Sequence, residues 1–572
     1  MTKRSNRRIH PGIVEAQEQL LQGRISRREF LRVATLLGAG FSAASFLAAC
    51  GAPTTEAPPE GETGDATNPE VDVPKGPVQR GGTIRLGVQV QGVDHPARFS
   101  WTETANVFRH VFEYLTETDA ENITHPLLLE SWEANDELTV WTLNLRQGIQ
   151  WTNGDEFVAD HVKYNFEEWL NPDTSSSILG LWEGFLDIDG VEVVDDYTVR
   201  LNLSAPKLDV PENLYHYPAL IMHPSFNGDI TTGTNPGTGP YTLEEYVAGE
   251  RARVVRRDDY WQMGEDGESL PYLEAIEFIS LGDDKTAYVA AMQTGEIDTM
   301  YEPNIDNVLA LQDDPNIIIY SVNTAQARVL RMRVDQEPWS DNNVRTAIKM
   351  CQDREQIQNV AYNGEGLLGH DFHVSPVHPE YAPMDVPEYN PEGAKELLAE
   401  AGYPDGLDVS LAVGTGWADV VAYAETLQQD AAAGGFNITL ETMPNTAYWE
   451  VWTETAFGIT PWTHRPLAVM VLPLAYTATA DGEPVDWNET RWVDEEFTQL
   501  LREAQGTLDV EARREIMKEM QTIQQERGSI GVAVWQQVWE VFNPAFQNVE
   551  AHPTLHNQWL RTWYDPQLDP FA

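Results

Sequence analysis

The sequence predicts an α/β fold spread over two or three domains, and three observations lead there. Strand-period and helix-period patterns alternate along the chain rather than segregating into halves. The roughly 490 residues after position 80 belong to a chain with 42% hydrophobic and 10% aromatic content, ample for a large core and too long for one compact domain. The first 79 residues carry no such alternation and read as an address followed by a tether.

The address is "SRREFLRVATLLGAGFSAASFLAACG", Ser26 to Gly51. Its uncharged run, Val33 to Ala49, is rich in Ala, Gly and Ser and shorter than the roughly 20 strongly apolar residues of a stable membrane span. Arg27 and Arg28, followed by Phe30 and Leu31, match the twin-arginine export pattern. The run ends in "LAAC", which resembles a bacterial lipobox, so residues 1–49 are expected to be removed as a lipoprotein signal peptide, with Cys50 lipidated as the new N-terminus. Residues 50–79 are crowded with Pro, Gly, Thr and Glu, have almost no large apolar side chain to offset the entropy of ordering, and read as a disordered tether.

The globular part opens with the glycine-led strand "GGTIRLGVQV". In "WTLNLRQGIQWTNGDEF", Trp141, Leu143 and Leu145 alternate with Thr142, Asn144 and Arg146, the period of a half-buried strand, and Asn153-Gly154 supplies a tight turn. A helix follows in "ADHVKYNFEEWL", with Asp160 expected as N-cap and Val162, Phe166 and Trp169 on one face. "TAYVAAMQTGEIDTM" reads as helix, glycine stop at Gly295, then strand. "NPEGAKELLAEAGYPDG" reads as a helix capped by Asn390, with Pro391 at its first position and Gly402 ending it.

Charge and cysteine content narrow the function. The chain carries a formal net charge of −53; residues 1–49 hold 8 Lys or Arg and 3 Asp or Glu, so their removal leaves −58. Such a field repels polyanions, and nucleic acid is excluded as a partner. The acid excess is dispersed and reads as a solvated surface rather than an acidic binding face. With Cys50 assigned to lipid, Cys351 is the one cysteine left; it recurs at helical spacing with Val344 and Ile348 and reads as a small buried residue rather than a catalytic thiol. There is no G-x-S-x-G, P-loop, H-E-x-x-H or C-x-x-C pattern. The glycines of "GTNPGTGPY", Gly233 to Tyr241, lack the Lys and Ser/Thr of a phosphate loop and read as a sharp crossing between domains. Among so many carboxylates, an acid pair for glycoside hydrolysis is not distinguishable by counting, so a secreted glycosidase and a surface adhesin stand as rival classes.

Six stretches then occur in an order that resembles family 5 solute-binding proteins, the receptors of peptide and nickel ABC importers. They are "GGTIRLGV", "ESWEANDELTVWTLNLRQGIQWTNGDEFVADHVKYNFEEWL", "GTGPYTLEEYVAGERARVVRRDDYW", "AAMQTGEID", "DNNVRTAIKMCQDREQI" and "YNPEGAKELLAEAGYPDG". The resemblance implies a bilobal periplasmic-binding-protein type II fold with an extra inserted domain. Its first lobe would be discontinuous over 80–125, 236–322 and 526–572, the insert would span 126–235, and the second lobe 323–525. It further implies a monomeric receptor, lipid-anchored on the outer face of the cytoplasmic membrane, that encloses a small solute or peptide between its lobes and passes it to an ABC permease without chemistry, metal or cofactor.

Trp101, Tyr301, Glu302, Trp417 and Trp535 follow strands or enter loops expected to face the cleft and are candidate ligand contacts, with burial in loop packing the competing reading for each. Trp449 and Trp452, three apart on a helix, read as core. His370, His373 and His378 share a Pro-containing loop that reads as solvated surface rather than a metal site. Peptide-binding relatives often carry an aspartate three residues after a tryptophan, where it pairs with the peptide ammonium. Here the order is Trp462, Thr463, His464, Arg465. A guanidinium pairs with carboxylate or phosphate instead, so Trp462, His464 and Arg465 join the candidates. Peptide is then the family default, with an anionic small molecule, an oligosaccharide or a metal chelate as alternatives.

Overall fold

Parallel strand pairing needs a crossover connection, and both halves of this protein are organised around one. The computed structural model describes residues 77–478, 482–485 and 487–572. They fall into two units: a first containing residues up to 322 and from 538 onward, and a second of 323–537. The signal segment, Cys50 and tether residues 50–76 lie outside the described residues. No helix among the described residues is long and apolar enough to cross a membrane.

In the first unit the strand Thr83–Gly87 is central. It pairs in parallel with Ala275–Ile279 on one side and Thr299–Met300 on the other, and the latter pairs antiparallel with Phe542. Arg251–Arg256 and Tyr241–Val247 extend the sheet antiparallel beyond Ala275–Ile279. Arg85 and Asp298 pin the centre with a two-pronged ion pair (2.8 Å each). A second, four-stranded antiparallel sheet runs in the order Leu129–Ala134, Val140–Leu145, Thr198–Asn202, Val191–Asp195. The alternation read from the sequence is met there: Trp141, Leu143 and Leu145 are buried, each side chain contributing about 1.5–3 kcal/mol of transfer free energy. The helix Ala159–Leu170 buries Val162, Phe166 and Trp169, as its period predicts. Its N-cap is Val158 rather than Asp160, because the chain turns helical two residues earlier; Asp160 then lies in the first turn, where its charge meets the positive helix end.

The segment "GTNPGTG" lies flat on the backbone of residues 110–111. Gly239 N donates to Val111 O (2.9 Å) and Tyr241 N to His110 O (3.0 Å), and a Cβ at Gly237 would come within 2.2 Å of Val111 O. Close approach, not phosphate binding, accounts for these glycines.

The second unit is built on the crossover Leu407–Gly414, helix Ala418–Ala433, Phe436–Met443, whose strands pair in parallel over eight residues. Phe457–Trp462 joins Leu407–Gly414 in parallel and pairs antiparallel with Ala327–Met332. Helices Asn342–Met350, Arg354–Tyr362 and Pro391–Glu400 cover it, and Cys351 is buried in the resulting core, where burial pushes its thiol up to about 12. Asn390, Pro391 and Gly402 occupy their expected cap positions, and Gly295 of the first unit ends its helix at φ +70°. The chain returns to the first unit at Val538, within the strand Ile530–Phe542. Residues 534–535 pair with Leu367–Leu368, which ties the strand's first part to the second unit.

Candidate ligand-binding site

In the first unit, the turn after Thr299–Met300 and the start of helix Lys285–Thr294 enclose a pocket of about 180 Å³. It is lined among others by Gln89, Glu103, Lys285, Tyr288, Tyr301 and Glu302. Tyr301 is held by its own backbone, whose N–H donates to Gly87 O (2.9 Å) and whose carbonyl accepts from Lys285 Nζ (2.8 Å). Lys285 lies over the Tyr288 and Tyr301 rings, 5.7 and 5.9 Å from their centroids. Glu302 is exposed at the rim, in a left-handed backbone conformation (φ +48°). Burial lowers the Lys285 ammonium below the ordinary lysine range, against the opposing pull of Glu302 and Glu103. Burial likewise raises the Glu103 carboxyl, opposed by the Gln89 N–H and by Lys285. Trp101 caps the helix Thr102–Phe108 two residues before Glu103 and is 62% exposed.

In the second unit, Trp462 ends the strand Phe457–Trp462, and its Nε1 donates to Glu489 Oε1 (2.9 Å). Glu489 Oε2 accepts from Thr460 Oγ1 and lies 3.2 Å from Arg331 Nε. Arg331 donates further to the carbonyls of Thr455 and Trp452 and to Thr455 Oγ1. Burial raises the Glu489 carboxyl, opposed first by Arg331. Gly458 makes room for this guanidinium, since a Cβ there would stand 2.8 Å from Arg331 Nη2. From Trp462 an edge-to-face series of rings runs through Trp487 (6.1 Å), Trp452 (6.4 Å), Trp449 (5.4 Å) and Trp417 (5.5 Å). Trp449, expected in a core, is 40% exposed, and Trp487 is 49% exposed; the helix Asn445–Val451 presents this face outward.

His464 is buried and its Nδ1 accepts from the Ala325 N–H (3.0 Å). Arg465 is half-buried; its Nη1 donates to Thr463 Oγ1 and to His464 O (3.1 Å each). Trp417 packs against Tyr448 and Trp449. Trp535 is fully buried beside His373. The histidine loop differs from expectation. His370, His373 and His378 are buried, because ring nitrogens find protein partners at Met384 O, Tyr476 OH and Arg465 O. Burial holds His373 down to about 3.

Tyr301 and Glu302 are thus brought together in one pocket, and Trp462, His464 and Arg465 at the end of one strand. Glu103, Lys285, Glu489 and Arg331 were missed. No motif marks them, since an isolated Glu or Lys has no periodicity to read; the one available signal was the rarity of lysine in this chain.

The family model described as bacterial extracellular solute-binding proteins, family 5 Middle, matches residues 124–472. The glutathione-binding protein GsiB of Salmonella typhimurium is 30% identical over 311 residues, covering 53% of this chain and 58% of GsiB, so the chain matches less than two thirds of that relative. Among solved structures, HbpA2 from Haemophilus parasuis superposes with a TM-score of 0.74 at 23% identity, over 85% of this chain and all of that one. DppA from Helicobacter pylori, in complex with the peptide STSA, gives 0.68 at 21% identity, over 85% and 98%. The fold is the mixed α/β fold of type II periplasmic binding proteins.

Proposed function

This chain belongs to the family 5 bacterial extracellular solute-binding proteins, and we propose that it is the extracytoplasmic receptor of an ABC importer, capturing a small solute and handing it to a membrane permease. The observation that carries this reading is the family match over 124–472, which runs through both units. The two charged and aromatic sites support it: each offers polar groups beside ring faces, the lining that small-ligand pockets use. Peptide is the ligand class favoured, on the strength of peptide-bound relatives of the same fold. An anionic solute is the second reading, favoured by Arg465 at the end of the strand carrying Trp462, because a guanidinium offers a two-pronged fit to carboxylate or phosphate. Trp101, Tyr301, Glu302, Trp417, Trp462, His464, Arg465 and Trp535 are the proposed ligand contacts.

The proposed organisation is a first lobe of 80–125, 236–322 and 526–572, an insert of 126–235 and a second lobe of 323–525, in a monomer tethered through lipidated Cys50 after twin-arginine export. Mass spectrometry of solute co-purifying with the full chain tests the receptor reading. A retained small molecule that is released unchanged on denaturation is expected; turnover of that molecule overturns the reading in favour of an enzyme. Cys50→Ala is expected to release the exported protein into the medium, and a variant that stays membrane-bound through carbonate washing overturns the anchor.

A further inference from the structure

The first unit's pocket contains two half-buried charges of opposite sign, and each makes its close hydrogen bonds to neutral groups. Lys285 Nζ donates to a backbone carbonyl, that of Tyr301 (2.8 Å). Glu103 accepts from the Gln89 backbone N–H (3.3 Å) and from Gln91 Nε2 (3.0 Å), while Gln91 is itself oriented by the Thr104 hydroxyl (3.2 Å). No ion pair joins Lys285 to Glu103 among the described residues. Taking a charge even partly out of water is unfavourable unless an opposite charge comes into contact. A fold that needed these two groups only for stability would bring them together. Here they line one cavity without forming an ion pair, with Lys285 over the faces of Tyr288 and Tyr301 and Glu302 exposed nearby.

We propose that this pocket is a binding subsite for a small dipolar group, a carboxylate meeting Lys285 and an ammonium meeting Glu103, as at an α-amino-acid head. The cavity size agrees: about 180 Å³ is the volume of some six liquid waters, enough for the five heavy atoms of such a head and a short side chain. Tyr301 and Tyr288 wall the apolar part, and Glu302, exposed beside Lys285, adds to the negative charge of the lining. The proposal rests on the receptor reading above and narrows its ligand to one bearing both charges close together. A monovalent anion would leave Glu103 without a contact countercharge, and a simple amine would leave Lys285 so.

Isothermal titration of the full chain with four probes tests it: L-alanine, L-alanyl-L-alanine, propionate (alanine without its ammonium) and ethylamine (alanine without its carboxylate). Alanine or dialanine is expected to bind at least tenfold tighter than either singly charged probe. Lys285→Met is expected to bring alanine down to the affinity of ethylamine, and Glu103→Gln to that of propionate, both with an unchanged circular dichroism spectrum. If neither dipolar probe binds the unaltered protein more tightly than propionate and ethylamine do, the subsite is refuted without reference to any variant; folded variants that discriminate as the parent does refute it equally. A co-purifying solute retained by both variants overturns the subsite and leaves the receptor reading intact, whereas turnover of that solute overturns the receptor reading alone.

Discussion

Two charge sites of this protein, one buried and one half-buried, solve the same electrostatic problem in opposite ways. In the second unit Arg331 and Glu489 touch at 3.2 Å, both almost wholly buried, and Thr460, Trp462 and two backbone carbonyls take up the remaining donors and acceptors. In the first unit Lys285 and Glu103 line one pocket, yet each bonds a neutral group. A completed pair fixes the geometry around it, here the indole of Trp462 and the end of its strand. Charges kept apart on a cavity wall are fold-neutral at best, and what they offer is an interaction with something that enters. The contrast separates scaffold from site more sharply than residue type does, since a Lys or Arg and a Glu occur in both.

The comparison breaks most visibly at Arg331. Arg331→Met leaves Glu489 buried without its countercharge, and the expected loss is about 3–5 kcal/mol in a denaturant titration followed by tryptophan fluorescence; a loss below about 1 kcal/mol means the pair does not hold the second unit. Trp462→Phe removes one donor from Glu489 Oε1 and is expected to cost about 1–3 kcal/mol in the same titration. At Arg465 the expected effect is on binding: a ten- to hundredfold loss of affinity for an anionic ligand on Arg465→Ala, about 1.5–3 kcal/mol, with partial recovery in Arg465→Lys because the planar fork is lost. Unchanged affinity in Arg465→Ala removes the anionic reading.

Alkaline pH sharpens the difference between the units. Burial raises the Glu113 carboxyl of the first unit to about 7 and that of Glu540 to about 8. Each therefore holds a proton in the folded state that the unfolded chain releases near pH 4.5. Their stabilisation is complete below that pH and is lost as the pH rises through 7 and 8, at about 1.4 kcal/mol per pH unit for each group. Hydrogen exchange is expected to show the first unit opening more readily at pH 8.5 than at pH 6, a trend weakened by Glu113→Gln or Glu540→Gln. The smallest effect belongs to Lys285→Met: stability within about 1 kcal/mol of the parent, since the cation it removes has no contact countercharge. A loss as large as that of Arg331→Met makes Lys285 part of the scaffold.

Much of this was legible in the chain itself, for reasons that are local. Trp141, Leu143 and Leu145 announce a half-buried strand because side chains on a strand alternate faces, whatever lies across from them. Asn390, Pro391 and Gly402 announce a helix because the orphan donors and the left-handed exit at its ends are satisfied within a few residues. The family match covers residues 124–472, which carry five of the six ordered local signatures. Where local evidence was thin it misled: Asp160 lies two positions past the cap, and the histidine loop, polar in composition, is buried because partners such as Tyr476, 103 residues away, complete its hydrogen bonds.

What the sequence determined alone was therefore the α/β class, the alternation of elements and their ends, all set by interactions within a few residues of one another. Tertiary structure alone decided the sites. Glu489 reaches Trp462 across 27 positions, Arg331 reaches Thr455 across 124, and the pocket gathers Glu103, Lys285 and Glu302 from three separate segments. No period or motif links such residues, because their meeting depends on how the strands carrying them are ordered in the sheets. Whether a buried charge is paired or kept waiting is a matter of a few ångströms that only the folded chain can set.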